Sequence, residues 1–250
     1  MSDPPRRLRV FPDAGTLARA AASWTLERLE EAFALRGRAA VALSGGNSPV
    51  PLLEALATPP LGEWAHWPEL ECYWVDERAV GPEDPGSNYG LARRHLLYRL
   101  PVPPRRVHRM RGEVHDLDAE ARRYAGLLAP WREAGVPRLD VLLLGVGTDG
   151  HVASLFPGSP LLDETHAWVS VAEAPPPYTH RLTVTPPVLD AARHAAFVVT
   201  GPSKREVLRA LFAPHPEASR LAGLPAARLR KRAHTEWFAD AEAAAESAGG

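Results

Sequence analysis

Asp149, Gly150 and His151 lie midway along VLLLGVGTDGHVASLFPGSP (residues 141–160), a stretch that turns from an apolar run into glycine and polar residues within a few positions. A carboxylate two positions from an imidazole suits general-base chemistry. The acid orients the ring and favours its charged form, and histidine in model peptides titrates near pH ~6.5. The same residues also fit a capping aspartate beside a structural histidine, and both readings stand at this point. GVGTDG matches the G-x-G-x-x-G of dinucleotide-binding turns as well. That turn must open a long helix in a first βαβ unit, whereas Pro157-Gly158 stops this one within a few residues.

A second stretch, SGGNSP (44–49), offers anion-binding chemistry. Two glycines allow close backbone approach, Ser44 and Ser48 bring hydroxyls, and Pro49 suits the first turn of a helix whose free N–H groups face the loop. Phosphate is a natural guest, although an ordinary strand-to-helix turn has the same composition. Read as ALSGG, the segment also approaches the G-x-S-x-G nucleophile elbow of serine esterases, with alanine first. Its position after only the second strand weakens that reading.

Composition narrows the classes. The 250 residues carry a net charge of −1, are 45% hydrophobic, and contain no basic block longer than RLRKR (228–232), so a nucleic-acid partner is not expected. No segment reaches the roughly 18 apolar residues of a membrane span and no signal-like apolar core follows MSDPPRRLRV, which predicts a cytoplasmic protein. The single cysteine, Cys72, lies in an apolar run and reads as core. Arginine far outnumbers lysine (Lys204 and Lys231 only), glutamine is absent, and asparagine occurs only at Asn47 and Asn88. In a chain that avoids these types, Asn47, Asn88 and Lys204 all fall in turn-like places close to apolar runs.

These residues need elements to hold them. LRVF (8–11) reads as a strand, Asp13 as a helix N-cap, and 16–35 as a long helix. AAVALS (39–44), ECYWV (71–75), LDVLLLG (139–145) and AAFVVT (195–200) read as core strands. PVPLLEALA, LARRHLLYRL, DLDAEARRYAGLLAPWREAG and SKREVLRALF read as helices between them, and HTEWFADAEAAAES as a last strand and helix. AWVSVA (167–172) and HRLTVT (180–185) look like a small antiparallel excursion, and DERAVGPEDPGSNYG like a long loop. The alternation predicts one α/β domain with a doubly wound, mostly parallel sheet flanked by helices. Ligands of such sheets gather outside the carboxyl ends of the strands, which selects SGGNSP, DERAV, GVGTDGH and TGPSK.

In this order and spacing, SGGNSP, DERAV with SNYG, GVGTDGHVASLFPGSP, HRLTVTPPVL and TGPSKREVL resemble the glucosamine-6-phosphate isomerase/6-phosphogluconolactonase family, from about residue 8 to 246. Its sugar-phosphate deaminases typically follow Asp-Gly-His with an Ala-Phe-Asn-Glu type of sequence. Here Val152-Ala153-Ser154-Leu155-Phe156-Pro157 lacks that glutamate, so the resemblance favours the lactonase branch.

The resemblance implies hydrolysis of a 6-phosphogluconolactone without metal or cofactor. His151 would act as base toward water with Asp149 as its carboxylate, and the glycine turn around Gly147 would offer N–H groups to the oxyanion. Ser44, Gly45 and Gly46 would contact the substrate's phosphate, with Arg78, Arg181 and Lys204 as cationic candidates. Asp76 would hydrogen-bond sugar hydroxyls or pair with Arg78, Glu77 would be binding or structural, and Asn88 would fold the DER loop over the site. The expected partner is a small sugar-phosphate lactone bound by a monomer or small homo-oligomer. His180 stays in view beside Arg181. His66, His95, His108, His115, His166, His194, His215 and His234 have no metal-ligand spacing and read as surface or packing residues. A glucosamine-6-phosphate deaminase and a non-catalytic sugar-phosphate sensor remain alternatives.

Overall fold

The computed structural model describes residues 8–212, 224–230 and 234–245. In chain order the strands are β1 (Leu8–Phe11), β2 (Ala40–Leu43), β3 (Glu71–Trp74), β4 (Asp76–Arg78), β5 (Arg132–Glu133), β6 (Val136–Pro137), β7 (Val141–Leu144), β8 (Val169–Glu173), β9 (His180–Val184), β10 (His194–Val199) and β11 (Thr235–Asp240). Between them lie α1 (Ala14–Arg36), α2 (Val50–Leu56), α3 (Asn88–His95), α4 (Leu117–Leu128), α5 (Pro186–Ala191) and α6 (Arg205–Phe212), with two short helices, Pro225–Arg230 and Ala241–Ala244, near the end. His215 and Lys231, and with Lys231 the end of RLRKR, fall outside the described residues.

Six strands form one parallel sheet in the order β1-β11-β10-β7-β2-β3. Period-2 alternation divides its side chains between two apolar layers. Val41, Leu43, Val141, Leu143, Ala196 and Val198 face α1, α2 and α3, whereas Ala42, Leu142, Leu144, Phe197 and Val199 face α4, α5 and α6. Both faces are therefore covered, as a parallel sheet requires. The chain leaves β2 toward β3 on one side, while β7 lies on the other side of β2. The loops after β2 and β7 thus diverge from adjacent strand ends, and the crevice between them is the switch point of the sheet.

Local chemistry sets the boundaries. Asp13 caps α1 by accepting from Thr16 N at 2.7 Å, and Gly37, at φ 65, ends it with an N–H to the Phe33 carbonyl. Two expectations are corrected. Residues 76–78, read as loop, form β4, which pairs antiparallel with β9 so that β4, β9 and β8 make a second sheet. Residues 132–135 of the segment WREAG, read as helix, form β5 and the turn of a β5–β6 hairpin. Pro130 has no N–H to continue the helix, and Ala134 and Gly135 turn the chain at φ 49 and φ 95. Among the described residues no helix is long and apolar enough to cross a membrane.

Candidate active site

The switch-point crevice holds a cleft open to solvent. Ser44, Gly45, Gly46, Asp76, Arg78, Asn88, Gly147, His151, Arg181 and Lys204 line it, so every expected site residue except Asp149 does. Asp149 stands behind His151. Asn47, Ser48, Pro49, Gly145, Val146 and Ala153 complete the wall.

The loop after β7 carries the candidate base. His151 Nδ1 lies 2.6 Å from Asp149 Oδ1, which also accepts the His151 N–H at 3.1 Å. Nδ1 is thereby engaged, and Nε2 has no partner among the described residues. Burial would raise the Asp149 carboxyl, but the hydrogen bonds and charge of His151 outweigh it and hold the group below the usual carboxylate range. The pair needs glycine beneath it: a Cβ on Gly147 would fall 2.1 Å from His151 Nδ1 and 2.3 Å from Asp149 Oδ1. The Gly147 N–H donates to the His151 carbonyl at 2.9 Å and the Gly150 N–H to the Gly147 carbonyl at 3.0 Å. These bonds clamp the turn, so Gly147 lines the cleft but its N–H is not free for an oxyanion.

The loop after β2 is the candidate anion cradle. Ser44 N donates to the Leu143 carbonyl, whereas the N–H groups of Gly45, Gly46, Asn47 and Ser48 make no hydrogen bond with another described residue. Gly46 adopts φ 86, a conformation that favours glycine. Gly45 is required for a different reason, because a Cβ there would fall 1.7 Å from Asn88 Oδ1. Ser44 is 6% exposed and its Oγ has no hydrogen-bond partner, so no histidine activates it as the esterase reading requires.

Three cations converge on the cleft, Lys204 from a loop and Arg78 and Arg181 from the paired strands β4 and β9. Lys204 ends a 3-10 turn, Pro202–Lys204, fastened by Asp240, which accepts the Gly201 N–H at the end of β11. Its ammonium has no partner among the described residues. Burial lowers it from the usual lysine value, and Asp149 pushes back. Arg181 stacks over Phe156 and donates from Nε to the Tyr178 carbonyl at 3.3 Å. Burial likewise lowers its value against the pull of Asp76. Arg78 donates to the Gly86 carbonyl and lies over Tyr178, and no ion pair joins it to Asp76.

Glu77 settles as structural. It is 1% exposed, and its carboxylate accepts from the N–H groups of Arg78, Asn88 and Tyr89 and from Ser87 Oγ, tying the start of α3 to β4. Burial pushes its carboxyl up to about 7, against those four donors. Asn88 folds inward and donates to Asp76 Oδ1 at 3.0 Å. His180 is exposed on β9 and does not line the cleft. Among the described residues no group of three or more His, Cys, Asp or Glu side chains could hold a metal ion.

The family profile described as glucosamine-6-phosphate isomerases/6-phosphogluconolactonase matches residues 12–237. The chain belongs to this family. Within it, the 6-phosphogluconolactonase of Streptomyces coelicolor is 38% identical, with 98% of this chain and 96% of that protein covered. That of Mycobacterium tuberculosis is 35% identical, over 96% of this chain and 97% of the relative. The structure of 6-phosphogluconolactonase from Trypanosoma cruzi superposes with a TM-score of 0.82 at 28% identity, covering 100% of this chain and 99% of the other.

Motif reading passed over the residues behind the family's loops. Ser154, fully buried, donates from Oγ to Asp76 Oδ2 at 2.8 Å. Phe156 packs against the His151 ring at 4.5 Å and under Arg181, so one aromatic face sets both. Both residues stand in the same block as the Asp-Gly-His motif, and that adjacency was the available signal.

Proposed function

We propose that this chain hydrolyses 6-phospho-D-glucono-1,5-lactone to 6-phospho-D-gluconate, the lactone step of the oxidative pentose phosphate route. The observation that carries the proposal is a histidine with one nitrogen bound to a carboxylate, presented in a cleft beside an unpaired anion cradle. The phosphate is held by the N–H groups of residues 45–48 and by Lys204, with Arg78 and Arg181 adding positive potential. His151 Nε2 takes a proton from water as its oxygen attacks C1. The resulting tetrahedral intermediate collapses by breaking the bond from C1 to the ring oxygen, and the imidazolium returns the proton to that oxygen. A δ-lactone is an activated ester, so one positioned base suffices without an acyl-enzyme. The product acid ionises, and the reaction releases a proton at neutral pH.

Pairing of β1 with β11 supports reading the chain as one domain. A single buried thiol, Cys72, agrees with a cytoplasmic setting. Deamination of glucosamine 6-phosphate is disfavoured by Ser154-Leu155-Phe156-Pro157, which stands where the deaminase pattern places its glutamate. Freshly generated lactone, followed by ³¹P NMR above its spontaneous decay, tests the proposal against glucosamine 6-phosphate with an ammonia readout. Accelerated lactone loss without ammonia is expected. Ammonia release without lactone loss favours the deaminase, and binding without either reaction favours the sensor.

A further inference from the structure

We propose that Ser154 is a positioning residue: it locks the Asp76 carboxylate as the wall of the cleft that reads the ring hydroxyls of the substrate. The inference rests on the lactonase reading above and assigns the acceptor wall of the cleft, which Asn88 joins to the phosphate cradle at Gly45.

Asp76 is 5% exposed, lines the cleft, and makes no ion pair among the described residues. Each carboxylate oxygen is held by one neutral donor. Ser154 Oγ donates to Oδ2 at 2.8 Å, and Asn88 Nδ2 donates to Oδ1 at 3.0 Å and to the Asp76 carbonyl at 2.9 Å. A carboxylate offers about four acceptor positions, so half of its capacity is left on a buried group. Asn88 Oδ1 is a further buried acceptor without a donor. Unsatisfied buried acceptors are costly unless a ligand completes them. Such a wall repels phosphate and accepts hydroxyl protons, which a polyhydroxylated ring supplies in number.

Ser154 holds this wall in register with the base. It is 0% exposed, and its own N–H donates to Thr183 Oγ1 at 3.2 Å. Ala153, at φ 51, is a non-glycine residue in the left-handed region, and it turns the chain between His151 in the cleft and Ser154 in the interior. One short loop therefore carries both the base and the clamp on a carboxylate 78 positions away. Without the clamp, Asp76 keeps only the bond from Asn88, Oδ2 loses its fixed position, and the hydroxyls meet a less ordered acceptor while the base stays in place.

The test compares wild type, Ser154→Ala and Asp76→Asn on the parent lactone phosphate and on its 2-, 3- and 4-deoxy counterparts. On the parent, Ser154→Ala is expected to lower kcat/KM by about 10- to 100-fold, mainly through KM. One deoxy lactone, lacking the hydroxyl that Asp76 reads, should be poor for wild type by a similar factor, and there Ser154→Ala should cost little more. Asp76→Asn should reproduce this pattern, and Ser154→Cys, which keeps the size but weakens the donor, carries the test if Ser154→Ala yields too little folded protein. An equal loss on all four lactones, or no loss on any, overturns the proposal. A wild type that fails to turn over the parent lactone overturns the lactonase reading instead.

Discussion

Gly147 supports His151 at a distance that leaves no room for a side chain: a Cβ on Gly147 would overlap the ring nitrogen that Asp149 holds, 2.1 Å away. The glycine therefore sets the geometry of the proposed base although it carries no functional group. Gly147→Ala should push the imidazole out of line and lower kcat by roughly tenfold to a thousandfold, since small misplacements of a base cost that much. Its thermal midpoint should fall by a few degrees at most, because the strain is local and relieved by the loop. Steady-state kinetics alongside a melting curve check this, and a variant with full kcat contradicts it.

Lys204 has no partner among the described residues and stands on a turn anchored by Asp240. Lys204→Ala is expected to raise KM by about 10- to 100-fold with a smaller effect on kcat, the signature of a contact made equally in ground and transition states. Lys204→Arg should recover only part of it, because a planar fork does not replace a compact ammonium. A titration of inorganic phosphate as inhibitor gives an independent reading. Its inhibition constant should weaken in parallel with KM.

Stability should carry a pH signature from the far end of the sheet. Burial, with Arg28, His234, Arg193 and Arg36 nearby, pushes His194 down to about 4. Histidine in an unfolded chain titrates near ~6.5, so between those values the unfolded state binds a proton that the folded state refuses, and stability falls as pH drops through that window. Glu77, raised to about 7, works in the opposite sense, since between the ordinary carboxylate value and about 7 the folded state binds a proton that the unfolded state lacks, and stability rises as pH falls through that window. Comparing wild type with His194→Phe isolates the first effect, because phenylalanine preserves the edge contact with Trp24. The variant should lose less stability than wild type between pH 7.5 and 5 in urea melts. An identical pH dependence in the two proteins contradicts the assignment.

The parallel sheet was legible because its strands are near-continuous apolar runs separated by helical periodicity. LDVLLLG and AAFVVT have no polar face to be mistaken for anything else. The short β4 strand was hidden, since Asp76, Glu77 and Arg78 carry no apolar alternation and their pairing partner, β9, lies about a hundred residues away. The hairpin after α4 was hidden by helix-forming residues on both sides of Pro130. At the candidate site, Asp149, His151 and the SGGNSP loop were legible as candidates from residue types at fixed spacing, and the fold brings His151 and that loop to one cleft. Ser154 and Phe156 did not, because their roles arise only when the β7 loop folds against β4 and β9. Whether Glu77 was ligand-binding or structural also depended on the fold, which turned three backbone N–H groups toward it.

The base itself gives the most direct test. In a stopped-flow pH-indicator assay on freshly prepared 6-phosphogluconolactone, His151→Ala should lose about 10²- to 10⁴-fold in kcat with KM changed by less than a few-fold. An unchanged kcat in that variant, with the protein folded and the lactone still bound, contradicts the assignment of His151 as the group that activates water.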